Sequence, residues 1–169
     1  ALNAVVSRSG AKIEKFRLEL PESVVESKRI VATYSMKGDM PDMQSLRFEG
    51  SLNAPRITPS DVACFVPKLR NLDMPLALSI DFNGTGSRLN VNDLSISTAD
   101  RGFVLKANAH VLHNRHTTWR AEVSKLFASG DAISRVYKLA TSNELPAIVH
   151  NLGDVSLTAK ADGTDADQR

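Results

Sequence analysis

The feature that most constrains this chain is a period-two alternation of apolar and polar residues along most of its length. Successive side chains of a strand point to opposite faces of a sheet, so this alternation predicts half-buried β-strands. In one segment the phase slips at Asn92 and Asp93, which predicts a β-bulge. The first apolar residues of the alternating segments are Phe16, Ile30, Leu46, Leu76, Leu89, Phe103, Trp119 and Val155.

Two segments break this period and predict short helices. Thr58 offers an N-cap and Pro59 suits the first helical position, which predicts a helix from Thr58 to Leu69. Ser129 caps a second predicted helix that reaches Ala140. Each helix carries an apolar stripe at helical spacing, so we expect both to lie against apolar strand faces. Two short helices cannot cover a long sheet, so it either closes as a sandwich or barrel or curls around an apolar trough.

The two helices belong to a degenerate internal repeat of about 70 to 80 residues. Ser129 follows Thr58 by 71 residues, and the strand at Val155 follows its counterpart at Leu76 by 79 residues. The first unit is predicted to span about residues 46–126, and the second, truncated unit about residues 127–169. We therefore expect residues 1–169 to be a single fragment of a longer, elongated repeat protein.

Composition excludes several classes of protein. The 169 residues include 21 Lys and Arg against 19 Asp and Glu, and the scattered basic residues with 5% aromatics argue against nucleic-acid binding. An apolar content of 42% excludes wholesale disorder. The longest apolar run, residues 62–66, is far short of a membrane helix. The single cysteine, Cys64, excludes a disulfide-stapled scaffold and is interpreted as a buried thiol.

Catalytic, metal-binding and cofactor-binding motifs have no convincing match. His110 and His113 are predicted to point to opposite faces of a strand, so with His116 they do not form a zinc site. The glycines of residues 83–86 lack the helix that a dinucleotide site needs, and we interpret them as a hairpin turn requiring positive φ. We therefore expect no enzyme activity, metal or cofactor. Three methionines are interpreted either as an apolar lip over a groove or as a partly buried connection: Met36, Met40 and Met43.

The remaining candidate for function is the apolar surface of the strands themselves. We expect the apolar positions of neighbouring strands to converge on one concave surface that is open at one or both ends. The residues predicted to line this lipid-binding groove are Leu46, Phe48, Leu78, Ile80, Phe82, Phe103, Leu105, Ala107, Trp119 and Val123.

Residues 57–72, with the strand at 76–86, resemble the repeat unit of the TamB-like translocation and assembly module family, within the AsmA-like group. Residues 129–146 and 152–163 resemble the next unit, so the resemblance covers roughly Phe48 to Gly163. It suggests a repeat-region fragment of a Bacteroidetes-type member. The fold it implies is mostly β with two short helices, an elongated, curled antiparallel sheet with a β-taco-like groove.

The resemblance also implies a function. Such proteins are anchored in the inner membrane, cross the periplasm and carry lipid acyl chains for outer-membrane assembly, and another part of the full-length chain contacts an outer-membrane β-barrel assembly protein. Membrane contact is expected only through segments outside this sequence. The alternative is a structural β-sandwich module that spaces or docks partner proteins in the envelope. A carbohydrate-binding module would need more aromatic platforms than Tyr34, Trp119 and Tyr137 supply.

Overall fold

The computed structural model describes residues 1–63, 74–141 and 153–165. This part of the chain contains twelve β-strands and two α-helices. Their bounds in chain order are β1 Leu2–Ser7, β2 Gly10–Glu19, β3 Val24–Ser27, β4 Ile30–Thr33, β5 Met36–Lys37, β6 Met40–Pro41, β7 Arg47–Ile57, α1 Pro59–Val62, β8 Leu76–Thr85, β9 Arg88–Thr98, β10 Phe103–His113, β11 Thr117–Ala128, α2 Gly130–Thr141 and β12 Val155–Asp165.

Ten strands form one curled antiparallel sheet, and β5 pairs with β6 in a separate small hairpin. The order is β1-β2-β3-β7-β8-β9-β10-β11-β12, and β4 continues the line of β3 between β2 and β7. β3 and β4 do not pair with each other, and each instead pairs with β2 and β7. From β7 to β12 every strand pairs with the next strand in sequence. The mostly β, antiparallel architecture predicted from the alternation is confirmed.

Both helices lie in connections at the same end of the sheet. α1 connects β7 to β8, and α2 connects β11 to β12. The predicted span of α2 is confirmed to within one residue at each end. For α1 the structure describes Pro59–Val62, and the rest of the predicted helix, with Cys64, lies outside the described residues. No described helix is long and apolar enough to cross a bilayer.

The two helix starts use their hydroxyl residues differently. The Ser129 Oγ accepts a hydrogen bond from the Ala132 N–H at 3.3 Å, which is the expected cap. Thr58 stands at the N-cap of α1 but its hydroxyl makes no capping bond and instead donates to the Glu22 carbonyl at 3.2 Å. Its backbone N–H donates to the Ser23 Oγ at 2.8 Å. Thr58 is therefore used to fasten the β2–β3 turn to the start of α1.

The described residues enclose very little core. Their buried apolar residues are few, namely Ala54, Pro59, Ala63, Met74 and Ala132. The accessible surface is 11949 Å², whereas a compact chain of this mass exposes about 8,200 Å². β1 and β12 lie at opposite ends of the strand order and do not pair with each other. The described strands thus form one open layer rather than two packed sheets or a closed barrel.

The predicted turn at residues 83–86 is wrong in detail. β8 continues through Gly84 to Thr85, and the chain turns at Gly86 and Ser87. Among the described glycines only Gly38 and Gly153 have positive φ. Gly84 is needed for a different reason, namely the close approach of an aromatic ring from the neighbouring strand.

Candidate apolar binding face

Strand register places the apolar residues of neighbouring strands on one side of the sheet. Directly paired residues of antiparallel strands project to the same face. One row crosses six strands without a polar residue: Leu52, Ile80, Leu94, Ala107, Val123 and Ala159. A second row contains Ala54, Leu78, Ile96, Leu105, Leu126 and Leu157. We call the side of the sheet that carries these rows the apolar face.

Nine of the ten predicted groove residues lie on the apolar face, within β7, β8, β10 and β11. The tenth, Leu46, is half-buried and precedes β7 by one residue. Trp119 is 38% exposed, and the other eight are half-buried. The structure therefore brings the predicted residues onto one continuous surface, and the strand pairs between them join that surface across the sheet.

The prediction omitted β9 and β12, which complete the apolar face. β9 contributes Val91, Leu94 and Ile96, and it separates β8 from β10. The predicted bulge is confirmed, because Asp81 pairs with Asp93 whereas Phe82 pairs with Val91, so that Asn92 is skipped. The same alternation that identified the other strands was the available signal, and the phase slip at the bulge obscured it.

Beyond β7, the face extends to the N-terminal strands. Ile30 pairs with Gly50 of β7 and with Ile13 of β2. Ile13 in turn pairs with Ala4 of the edge strand β1. The apolar face therefore crosses the whole strand order, and its edge at β1 is open to solvent, as Leu2 and Val6 are 65% and 75% exposed.

Aromatic rings on the apolar face contact glycines of the next strand. Phe48 of β7 pairs with Gly84, and a Cβ at Gly84 would stand 2.5 Å from the Phe48 Cζ. Trp119 of β11 pairs with Gly163, and a Cβ there would stand 2.8 Å from its Cζ2. The rings of Phe48 and Phe82 are 6.3 Å apart and tilted by 48°. Glycine at these positions lets the rings pack against the backbone and fill the face laterally.

The opposite side of the sheet, which we call the polar face, carries charged and amide side chains. The Lys160 Nζ lies 3.0 Å from the Glu122 Oε1 across β11 and β12. The Asn90 Nδ2 donates to the Asn83 Oδ1 at 2.7 Å, and its Oδ1 lies 3.1 Å from the His110 Nδ1. The sheet is thus amphipathic, with hydrogen bonds and ion pairs on one face and hydrocarbon on the other.

The histidines do not come together. His110 belongs to the polar face, whereas the His113 Nδ1 lies 2.7 Å from the Thr117 Oγ1. Nowhere in the described part of the chain do three His, Cys, Asp or Glu residues form a group able to hold a metal. His150 lies outside that part.

The methionine segment is exposed. Met36, Met40 and Met43 expose 38%, 73% and 61% of their surface. The interpretation of this segment as a partly buried connection is therefore wrong for Met40 and Met43, whereas Met36 is the most covered of the three. Met43 also packs against the β8–β9 turn, because a Cβ at Gly86 would overlap the Met43 carbonyl oxygen. The exposed methionines thus stand beside the turn at the end of the sheet remote from the helices.

Comparisons with known proteins do not supply a family. No protein-family model matches the chain, no curated protein matches it, and no solved structure matches it. A functional conclusion therefore depends on the geometry of the apolar face and on the chemistry of the residues that surround it.

Proposed function

We propose that the apolar face binds lipid acyl chains, and that the chain is a non-enzymatic segment of an envelope protein that carries lipid between the inner and outer membranes. The supporting observation is the continuous apolar face itself. It crosses all the strands of the main sheet, and its large side chains are half-buried or exposed rather than packed into a core. Apolar surface of this extent on one layer favours an apolar ligand or partner.

The energy available for acyl-chain binding is large. Each methylene moved from water to an apolar environment contributes about 0.8 kcal/mol of binding free energy, so an acyl chain of about 16 carbons gains on the order of 13 kcal/mol gross. Binding of this kind needs no catalytic group and no cofactor. It needs a surface without charges, and the two rows named above, from Leu52 to Ala159 and from Ala54 to Leu157, contain no Asp, Glu, Lys or Arg.

The repeat proposed from the sequence gains support from two matching contacts. Phe48 packs on Gly84, and Trp119 packs on Gly163. The aromatic residues are 71 positions apart and the glycines 79, the offsets of the helices and of the strands that follow them. A strand, a helix and a returning strand thus recur with the same aromatic contact. Further units would extend the apolar face into a taco-like groove.

The envelope setting belongs to this proposal through the resemblance to TamB-like proteins. The protein is then periplasmic and anchored in the inner membrane through segments outside this sequence. A different part of the full-length chain meets the outer-membrane β-barrel assembly partner. The role proposed for residues 1–169 is to hold acyl chains during transit.

Site-specific photocrosslinking in cells tests lipid binding. A photoreactive amino acid at Phe82 should form lipid adducts, whereas the same residue at Asp81, its neighbour on the polar face of β8, should not. Trp119 on the apolar face and Glu122 on the polar face provide a second pair on β11. Folded protein that forms no lipid adduct at Phe82 or Trp119 would contradict the proposal.

The second candidate function is a spacer or docking module that binds partner proteins by strand addition. Its support is the pair of open edges, because β1 and β12 each have only one neighbour in the described sheet. In this case a photocrosslinker on β12, at Thr158, should link to a protein rather than to lipid. Protein adducts at Thr158 without lipid adducts at Phe82 would favour this alternative.

A further inference from the structure

The polar face has a cavity of about 440 Å³ at the end of β9–β12 that lies away from the helices. This volume is in the range of small-ligand sites. The polar side chains that line it include Arg88, Asn90, His110, Thr118, Arg120 and Asp162. Val111, Trp119 and Gly163, which belong to the apolar face by register, also contribute to the lining, but its charged side chains all belong to the polar face. The site therefore does not depend on the lipid-binding proposal.

Strand register explains why these side chains meet. His110 pairs with Asn90 on one side and with Arg120 on the other, which places the three in one row across β9, β10 and β11. Arg88 pairs with Leu112, which pairs with Thr118, so Arg88 and Thr118 belong to the adjacent row. Both rows project from the polar face. Two arginines and a histidine from three neighbouring strands therefore line one cavity.

The two arginines have no partner within the described part of the chain. Neither Arg88 nor Arg120 makes a side-chain hydrogen bond there, and neither has a carboxylate within the 4.0 Å of an ion pair. Other exposed cations differ, as Arg17 contacts Glu19 at 2.7 Å and Lys160 contacts Glu122 at 3.0 Å. Asp162, the one acidic residue of the lining, stands directly opposite Arg120 in the register of β11 and β12 but makes no ion pair with it. The positive charge of the two guanidinium groups therefore exceeds the negative charge beside them.

His110 is held in place by a chain of amides. The Asn90 Nδ2 donates to the Asn83 Oδ1 at 2.7 Å, which leaves the Asn90 Oδ1 as an acceptor. The His110 Nδ1–H donates to that oxygen over 3.1 Å. This arrangement leaves Nε2 for a ligand, either accepting from a phosphate hydroxyl or donating when the imidazole is charged. The imidazole is thus oriented before any ligand arrives.

We propose that this cavity binds a phosphate group, with the Arg88 and Arg120 guanidinium groups as its charged donors. A guanidinium presents paired N–H donors that match two phosphate oxygens, and such hydrogen bonds are stronger than those between neutral groups. The Thr118 hydroxyl and the His110 Nε2 supply further polar contacts. The phosphate belongs either to a free phosphate compound or to a phospholipid headgroup reaching the cavity around the open edge at β12.

Titration of the whole chain with inorganic phosphate tests the site. Amide chemical shifts of β9–β12 should change and saturate. Arg88→Gln and Arg120→Gln should each weaken binding about tenfold or more, the usual effect of losing a charge-assisted hydrogen bond. Arg47→Gln is the matched control, because Arg47 lies in the register row of Arg88 but on β7, outside the cavity. The affinity of Arg47→Gln for inorganic phosphate should stay within about twofold of the wild-type affinity.

A second titration distinguishes the two sources of phosphate. Dihexanoyl phosphatidylglycerol, used below its micelle concentration, should bind more tightly than inorganic phosphate if the headgroup is the ligand, with the same loss in Arg88→Gln and Arg120→Gln. Weaker or equal binding of the lipid identifies free phosphate as the ligand. The proposal is overturned if inorganic phosphate causes no saturable shifts at millimolar concentration. It is also overturned if folded Arg88→Gln and Arg120→Gln bind phosphate as the wild type does, or if Arg47→Gln weakens binding equally.

Discussion

The two faces of the sheet share one backbone but differ in the partners that their side chains contact. On the polar face, side chains bond to each other, as in the Lys160–Glu122 ion pair and the Asn90–Asn83 hydrogen bond. On the apolar face, Leu94 and its row contact hydrocarbon within the layer, and no second layer of described strands covers them. Water hydrates the side chains of the polar face, whereas the apolar face keeps hydrocarbon surface that an apolar ligand could cover.

This difference teaches that alternation alone does not imply a filled core. In a sandwich, the apolar residues of one sheet interdigitate with those of another. Here most residues of the two rows are half-buried, Leu157 and Ala159 are exposed, and buried apolar residues such as Ala54 are few in the described part of the chain. Aromatic rings resting on Gly84 and Gly163 cover backbone within the layer itself. The layer thus gains part of its stability laterally, from neighbouring strands.

The largest effect on stability is expected when a carboxylate is introduced on one face of β9 and compared with a carboxylate on the other face. Leu94→Asp places a carboxylate among the apolar rows and should lower the free energy of unfolding by about 3 kcal/mol, because the charge loses hydration without gaining a partner. Ser95→Asp is the matched control. Ser95 projects to the polar face and pairs directly with Lys106, so its change should stay within about 0.5 kcal/mol. Urea denaturation of both variants measures the difference.

Equal effects at Leu94 and Ser95 would contradict the assignment of the two faces. Equal and large losses would indicate that the polar face is also covered in solution. Equal and small losses would indicate that Leu94 is as hydrated as Ser95. The second result would also weaken the lipid-binding proposal, since that proposal requires a surface from which water is easily displaced.

An intermediate effect on stability is expected where aromatic rings of the apolar face pack against glycines of the neighbouring strand. Gly84→Ala should lower the free energy of unfolding by about 2 kcal/mol, because the new Cβ would meet the Phe48 ring and the backbone carbonyl oxygen of Arg88. Gly163→Ala should cost about 1 kcal/mol, because the atoms nearest to its Cβ belong to the side chain of Trp119, which is 38% exposed and can shift. Thermal unfolding should rank the two variants in this order, and the reverse order would show that the ring at Trp119 is the more tightly held.

The smallest effect concerns the β9–β10 turn, which fastens the sheet to α2. The Thr98 hydroxyl donates to the Asp100 carboxylate at 2.6 Å and the Gly102 N–H donates at 2.9 Å, and these bonds, with a smaller contribution from Arg135, lower the pKa of Asp100. The Gly102 carbonyl in turn accepts from the Ser129 N–H at 2.7 Å. The carboxylate therefore stabilises the folded turn when it is ionised.

A lowered pKa means that the folded state holds the Asp100 proton less tightly than the unfolded state. The contribution of the ionised Asp100 carboxylate to the stability of the fold is full above the unfolded pKa of about 3.9. This contribution is lost as the pH falls through the lower pKa of the folded state. Asp100→Asn should therefore be less stable than the wild type at neutral pH, by less than either change above. The gap should close in acid, which denaturation at pH 7 and below pH 3 would measure. A gap that widens in acid would contradict the assigned bonds.

The sequence by itself determined the local properties of the chain. The period of two identified the strands, the phase slip at Asn92 and Asp93 identified the bulge, and Ser129 identified the start of α2. Each of these depends on residues a few positions apart, because side-chain alternation and capping are set by the local backbone. The same alternation also determined that one side of each strand would be apolar.

The tertiary structure alone decided which surfaces these residues would share. Only the register could show that Gly84 lies beneath Phe48 rather than in a turn, and only the approach of the β2–β3 turn directed the Thr58 hydroxyl to Glu22. The cavity lined by Arg88 and Arg120 likewise exists because β9, β10 and β11 are paired at particular positions, which brings residues of three strands together. Pairing of this kind is a long-range property, since a shift of one residue would move every side chain of a strand to the other face.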